Sequence, residues 1–345
     1  MNAVIASQGG SAPATSRWQR TGPVVTLLLL SPVIGEVMSG ATRLSYIFAL
    51  VPEIMVWGCG TLIIREVVRR WGGSWVSMLL LGFGLSIAEE FIIQQTSIAP
   101  LPWLGTTPAY GRVWGVNWPY FVFMLGYEAV WIVLVPVQVT ELLFPERRFE
   151  SWLRPRGLVI SGGIFLAGSF IAWFLWTQQA RPMVFHVPVY HPPAATVLAG
   201  ALAITLLIAG AYLARSACQR PLPAKAPPAW FVATTAFLTG LPWYLLMVVV
   251  FGPVRQIPIL APMLAATAWG MGVFQVIKRW SLASAWQDMH RWALCLGALL
   301  VCMAGGFLGA GTWPLMDIIA KAVLNLAAVV AMGWLALSIT RRARV

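Results

Sequence analysis

The chain has 345 residues, 59% of them apolar and only 10% charged, with 23 Lys and Arg against 11 Asp and Glu and a formal net charge of +12. A soluble domain carries about a quarter charged residues, so this composition excludes a water-facing globular surface. The positive balance is therefore read first as membrane topology, and no nucleic-acid partner is expected.

Residues 1–22 are small and polar and read as a disordered cytoplasmic N-terminus. A helix that crosses a bilayer needs about 20 mostly apolar residues. That measure predicts ten spans: 23–41, 46–66, 75–97, 118–143, 158–177, 194–214, 231–252, 258–277, 292–311 and 314–340. The expected fold class is all-α, a polytopic transmembrane helical bundle. No segment alternates with the period of two that a membrane barrel needs.

With the N-terminus inside, eighteen of the 23 basic residues fall on the inner side, among them Arg65, Arg69, Arg70, Arg147, Arg148 and Arg341. Arg43, Arg112, Arg181 and Arg255 fall outside, and Lys321 within the last span. This bias predicts both termini in the cytoplasm, and the expected location is a bacterial inner (plasma) membrane. The expected partner is the lipid bilayer.

Nine of the eleven acids precede residue 151. The chain accordingly divides into a polar four-helix unit (23–144), a basic cytoplasmic loop (145–157), a mostly apolar six-helix unit (158–340) and a basic tail (341–345). Residues 215–228 read as a Pro-rich cytoplasmic linker. Gly35/Ser39, Gly82/Ser86 and Gly305/Gly309, each pair four positions apart, predict flat faces for close helix packing. Many tryptophans, Trp71, Trp118, Trp292 and Trp313 among them, stand near span ends, where an indole anchors at the interface. Cys59, Cys218, Cys295 and Cys302 form no CxxC pair and read as small apolar groups. The three histidines lack HExxH spacing.

An ionisable group inside a membrane costs at least about 2.5–3.5 kcal/mol near a helix centre, so a group of them signals a site. At 1.5 Å rise per residue, Glu36, Glu53, Glu89, Glu90 and Glu128 all fall roughly 8–15 Å below the outer surface, on four different helices. Pro32 and Pro52 closely precede two of them and are expected to break their helices. Gln94, Gln95, Tyr127 and Asn117 are candidate hydrogen-bond partners of the acids. Asp317 and Lys321, spaced i, i+4, could pair with each other, and Lys321 is expected to reach the glutamates from the last span. Glu66, Glu141 and Glu146 stand beside arginines at the cytoplasmic edge and read as exposed ion-pair partners of little energetic weight.

The run Ala88-Glu89-Glu90-Phe91-Ile92-Ile93-Gln94 resembles the EExxxR motif of the CAAX-processing and bacteriocin-processing (CPBP) intramembrane proteases. The resemblance implies a related helical fold, with Glu89 as the general base that activates water and Glu90 as its neighbour. The arginine position holds Gln94, and the next helix carries Glu128 where that family has a histidine. Arg43, Arg112 and Lys321 are candidates to stabilise an oxyanion.

Three readings stand at this point. The first is a CPBP-like intramembrane protease, or a non-catalytic derivative, using Glu89, Glu90 and Glu128. The second is a proton- or cation-coupled transporter whose ion or small-molecule site includes Glu36, Glu53, Gln94, Tyr127 and Lys321. The third is an assembly or scaffold protein whose acids set helix register. The substrate would be a membrane-embedded peptide, a small molecule or an ion. Neither a cofactor nor a metal can be named from the sequence.

Overall fold

The computed structural model describes residues 17–104, 107–217, 223–251 and 256–344. Cys218, Arg220, Arg255 and most of the segment expected to be disordered lie outside the described residues. The described chain is an all-α bundle. Its one sheet is a ribbon pairing Arg112–Val113 (β1) with Val116–Asn117 (β2).

Nine described helices are long and apolar enough to cross a membrane. In chain order these are α1 (Trp18–Val37), α2 (Leu44–Arg70), α3 (Trp75–Ile93), α4 (Trp118–Leu143), α5 (Pro155–Met183), α6 (Ala194–Ser216), α7 (Ala229–Val250), α8 (Leu260–Ser281) and α10 (Leu315–Arg342). The ninth expected span, 292–311, corresponds to α9 (Asp288–Gly305), an 18-residue helix whose first turn carries Asp288, His290 and Arg291. It ends at Gly305, so the Gly305/Gly309 face expected from the sequence does not exist. The protein is an integral, multi-pass membrane protein.

The centre is formed by α1 to α4. Within it, α3 packs along the middle of α4, and α1 lies against both α2 and α4. Gly82 lets α3 approach within van der Waals contact of the α4 backbone, since a Cβ there would stand 3.0 Å from the Ala129 Cα. The remaining helices surround this group. α5 covers α2 and α6 covers α3, while α7, α8 and α9 cover α4 and α10 lies on α9. The outward faces of α5, α6, α8 and α10 carry Leu166, Phe170, Leu202, Leu264, Val330 and Trp334, all more than 60% exposed. Apolar faces of that size belong against lipid tails.

One end of the bundle is closed by an ion-pair node. Contrary to the reading of Glu66 and Glu141 as exposed, both are buried together with Arg65. Arg65 bridges Glu66 (2.9 Å) and Glu141 (3.3 Å), and Arg69 forks onto both Glu141 oxygens at 2.6 Å. The rest of the Arg65 guanidinium donates to the carbonyls of Arg148 and Glu150 and stacks 3.5 Å from the Trp152 ring. Glu66 in turn accepts from the backbone amides of Trp152 and Leu153. The sequence signal, basic residues beside acids, was the same as for a surface pair. What differs is that the loop after α4 folds back over the charges and supplies their remaining hydrogen bonds. Glu146 is exposed, as expected.

Removing one partner from a satisfied buried ion pair leaves an uncompensated charge, typically costing about 3–5 kcal/mol. Arg65→Met is therefore expected to lower unfolding stability in detergent by that order, whereas Glu146→Ala changes it by less than about 0.5 kcal/mol. Denaturant unfolding followed by circular dichroism checks the difference.

Candidate functional site

Each of the four central helices departs from α-helical geometry next to its glutamate. α1 opens into a π-turn at Val33–Val37, which contains Glu36. α2 does so at Ile54–Gly58, immediately after Glu53. In α3 the π-turn Glu89–Ile93 begins with the acid pair, and in α4 the π-turn Glu128–Leu134 begins with Glu128. A π-turn inserts one residue and releases backbone groups from the helical ladder, and such turns concentrate at functional sites. Pro32 precedes the first break and Pro52 the second by two residues, as expected from the missing amide and its steric clash.

Carbonyls freed inside a membrane need donors, and the sequence supplies them from neighbouring helices. The single Ser31 hydroxyl proton stands within donating distance of the carbonyls of Trp57 (3.1 Å) and Ile132 (2.8 Å), and Thr61 donates to Ile132 at 2.9 Å. In the first π-turn Tyr127 donates to Gly35, the Cys302 thiol approaches Ile34 at 3.8 Å, and Lys321 donates to Met38 just beyond it. The breaks in α1, α2 and α4 are thus tied to one another by side chains.

The five glutamates converge, as their common depth predicts. Glu36 faces Glu53 and Glu90 and lies beside the Trp57 indole. Glu89 faces Glu90, Glu36 and Glu53. Glu90 faces Glu128, and Ser86 and Tyr120 line the same space. Glu89, Glu90 and Glu128 are buried, with at most 2% of their surface exposed. Glu36 and Glu53 are half-buried.

Their partners differ from those expected. Glu90 accepts hydrogen bonds from Thr96 and Ser97, both at 2.6 Å, and Thr42 donates to Glu53. One oxygen each of Glu53 and Glu89, and both oxygens of Glu128, are buried without a hydrogen-bond partner among the described residues. Gln94 closes the π-turn of α3 through its backbone amide, 2.9 Å from the Glu89 carbonyl. No hydrogen bond among the described residues joins its side chain to an acid. Tyr127 serves the Gly35 carbonyl instead of a glutamate.

The loop after α3 delivers Thr96 and Ser97. Gln95 takes a left-handed conformation (φ 62°), which ends the helix four residues short of the expected 97 and turns the chain back over Glu90. Asn117 pins this return with bonds to the Thr96 and Ala99 carbonyls, and Arg112 adds bonds to Ile98 and Ala99. Arg112 is thus committed to the loop. Arg43 stacks on Tyr46 and Trp313.

Lys321 and Asp317 do not pair with each other. Asp317 accepts from the Ser45 amide (2.9 Å) and hydroxyl (2.8 Å), while Lys321 lies 4.7 Å from the Phe307 ring and bonds Met38. The last span does dock on the four-helix unit, but among the described residues no ion pair joins any cation to the five glutamates. Nor do three or more His, Cys, Asp or Glu side chains among the described residues converge tightly enough to hold a metal ion. Thr42, Ser86, Thr96 and Ser97 were missed because isolated hydroxyls carry no sequence signal. A useful one was their position, within two turns of an acid or across from it on a predicted neighbouring helix.

An uncompensated carboxylate in an apolar bundle is strongly disfavoured. The arrangement can therefore hold protons on most of its carboxyls, exchange them between neighbours, or neutralise a cation that enters. Among the described residues no positive group pairs with Glu89, Glu90 or Glu128 to stabilise an oxyanion. Compared with known protein families, curated proteins and solved structures, the chain matches none.

A Cβ at Gly58 would stand 2.4 Å from the Leu28 carbonyl oxygen, which is backbone and cannot swing away. Gly58→Ala is expected to force α1 from α2 at the π-turns and lower stability by about 1–3 kcal/mol. Gly72→Ala, at a left-handed position with open space around it (φ 65°), is expected to cost about 1–2 kcal/mol, from backbone strain alone and without moving a helix. Thermal unfolding of the two variants side by side tests the packing of the breaks.

Proposed function

We propose that this chain is a proton-coupled membrane transporter in which Glu36, Glu53, Glu89, Glu90 and Glu128 bind and pass on protons. The carrying observation is the cluster itself: five carboxyls on four broken helices, with no cation paired to any of them among the described residues. Protonation is the simplest way to keep such a group uncharged in a membrane. The gradient of burial supports a direction of movement. Half-buried Glu36 and Glu53 admit protons, and buried Glu89, Glu90 and Glu128 receive them. Unwound helix segments around a polar centre are also the construction that transporters use for ion and substrate sites. The arginine-rich end, with both chain termini, is assigned to the cytoplasm on the bias of basic residues.

A second reading has one observation in its favour, the adjacent Glu89 and Glu90 on a π-turn with a buried, unpartnered Glu89 oxygen. It makes the protein a CPBP-like intramembrane hydrolase, with Glu89 as general base. Among the described residues no cationic side chain pairs with Glu89 or Glu90, which favours the transporter.

Proteoliposomes loaded with a pH-sensitive dye and given a potassium diffusion potential separate the two. The transporter reading expects acidification several-fold faster than in protein-free vesicles, with Glu128→Gln and Glu90→Gln reduced to the protein-free rate. Identical rates with and without protein contradict it. The hydrolase reading instead expects Glu89→Gln to abolish cleavage of a membrane-embedded peptide.

A further inference from the structure

A cavity of about 190 Å³ opens beside the loop-end of α1, between the start of α2 and α10. Its polar wall holds Arg43, Lys321, Asp317 and Thr42, and its apolar wall includes Leu44, Ile47 and Trp313. The charges do not cancel. Asp317 spends both carboxylate oxygens on Ser45. Among the described residues Arg43 is held by two aromatic faces, with its guanidinium carbon 5.1 Å from the Tyr46 ring centre and 5.4 Å from that of Trp313. Lys321, 5% exposed, gives one of its three donors to the Met38 carbonyl. Neither cation has an ion-pair partner among the described residues, so the cavity has two cationic groups and open donor capacity directed into it.

The surroundings say what kind of anion would reach them. Tyr46, Phe48 and Val51 of α2 and Leu315, Met316 and Val323 of α10 flank the cavity and are 46–70% exposed. These apolar faces belong in lipid, yet the cavity holds the volume of only about six water molecules. A charged headgroup fits inside and an acyl chain does not, so the chain of a bound amphiphile would lie along the flanking faces. Basic pockets between membrane helices recognise anionic headgroups by this combination of charge inside and apolar surface outside.

We propose that this cavity binds the anionic headgroup of a membrane amphiphile, a phosphate or carboxylate held by Arg43 and Lys321, with its tail along α2 and α10. The site is independent of the proton-coupled reading. It nevertheless adjoins the carboxylate cluster, because Thr42 lines the cavity and donates to Glu53.

Native mass spectrometry of the full chain in a neutral detergent, titrated with phosphatidylglycerol, phosphatidylcholine or inorganic phosphate, tests the proposal. Wild type is expected to retain one phosphatidylglycerol at about tenfold lower concentration than phosphatidylcholine, a preference near 1.4 kcal/mol. Arg43→Gln and Lys321→Met are expected to erase that preference. Arg279→Gln, which removes an exposed charge elsewhere, should keep it. Arg43→Gln carries the test if loss of the Lys321 bond to Met38 disturbs folding, because Arg43 makes only ring contacts. An undiminished preference in Arg43→Gln overturns the proposal. Binding of inorganic phosphate as tight as that of phosphatidylglycerol also overturns it, by making a free anion the occupant.

Discussion

The constraint on which the rest of the structure depends is the burial of five carboxyl groups at one level of an apolar bundle. A single ionised carboxylate there is costly, and five neighbours add mutual repulsion. No basic side chain approaches them among the described residues. The protein solves the problem locally, with hydroxyl donors from Thr42, Thr96 and Ser97, and otherwise leaves oxygens without partners. Protons must carry the remaining neutralisation, which makes the cluster responsive to proton supply and gives the transport reading its physical basis.

The π-turns are the architectural counterpart of that constraint. Straight helices at these positions would keep their carbonyls engaged and their acids at ordinary helical angles. Opening α1, α2, α3 and α4 at the acids re-aims the side chains inward, at the cost of loose backbone carbonyls. Ser31, Thr61, Tyr127 and Lys321 meet that cost by bonding across helices. The same bonds tie the breaks of α1, α2 and α4 together. A shift at one acid therefore changes the donors available to another helix, the kind of two-sided contact through which protonation can drive movement. At the opposite end the Arg65–Glu66–Glu141–Arg69 node anchors α2 to α4 and to the following loop. Its charges are balanced by ion pairs, and that end is held rigid where the cluster is left adjustable.

Much of this was legible in the residues. Hydropathy located the spans within a few positions, because lipid imposes a length that composition must match. Depth alone brought Glu36, Glu53, Glu89, Glu90 and Glu128 together, since a helix converts residue number into height without knowledge of packing. Rotation and reach were not legible. Whether Tyr127 faced an acid or a carbonyl depended on the π-turn at Gly35. Gln94 and Gln95 were interchangeable until the left-handed turn at Gln95 ended α3. Lys321 stood at the right height, yet its side chain was captured by Met38 before it could reach a glutamate. Glu66 and Glu141 looked like surface partners because charge pattern does not reveal a loop folding back over the pair.

The central claim is that carboxyls of the cluster are protonated in the folded protein at neutral pH and exchange with their neighbours. Infrared spectroscopy of the protein in lipid reads this through the carbonyl stretch of a protonated carboxyl, which an ionised carboxylate lacks. The account predicts that band at neutral pH in wild type, reduced in Glu128→Gln and shifted in Glu90→Gln as the neighbouring carboxyls lose a charge-bearing partner. A wild-type spectrum with no protonated-carboxyl band at neutral pH, unchanged in the Glu128→Gln variant, would contradict it.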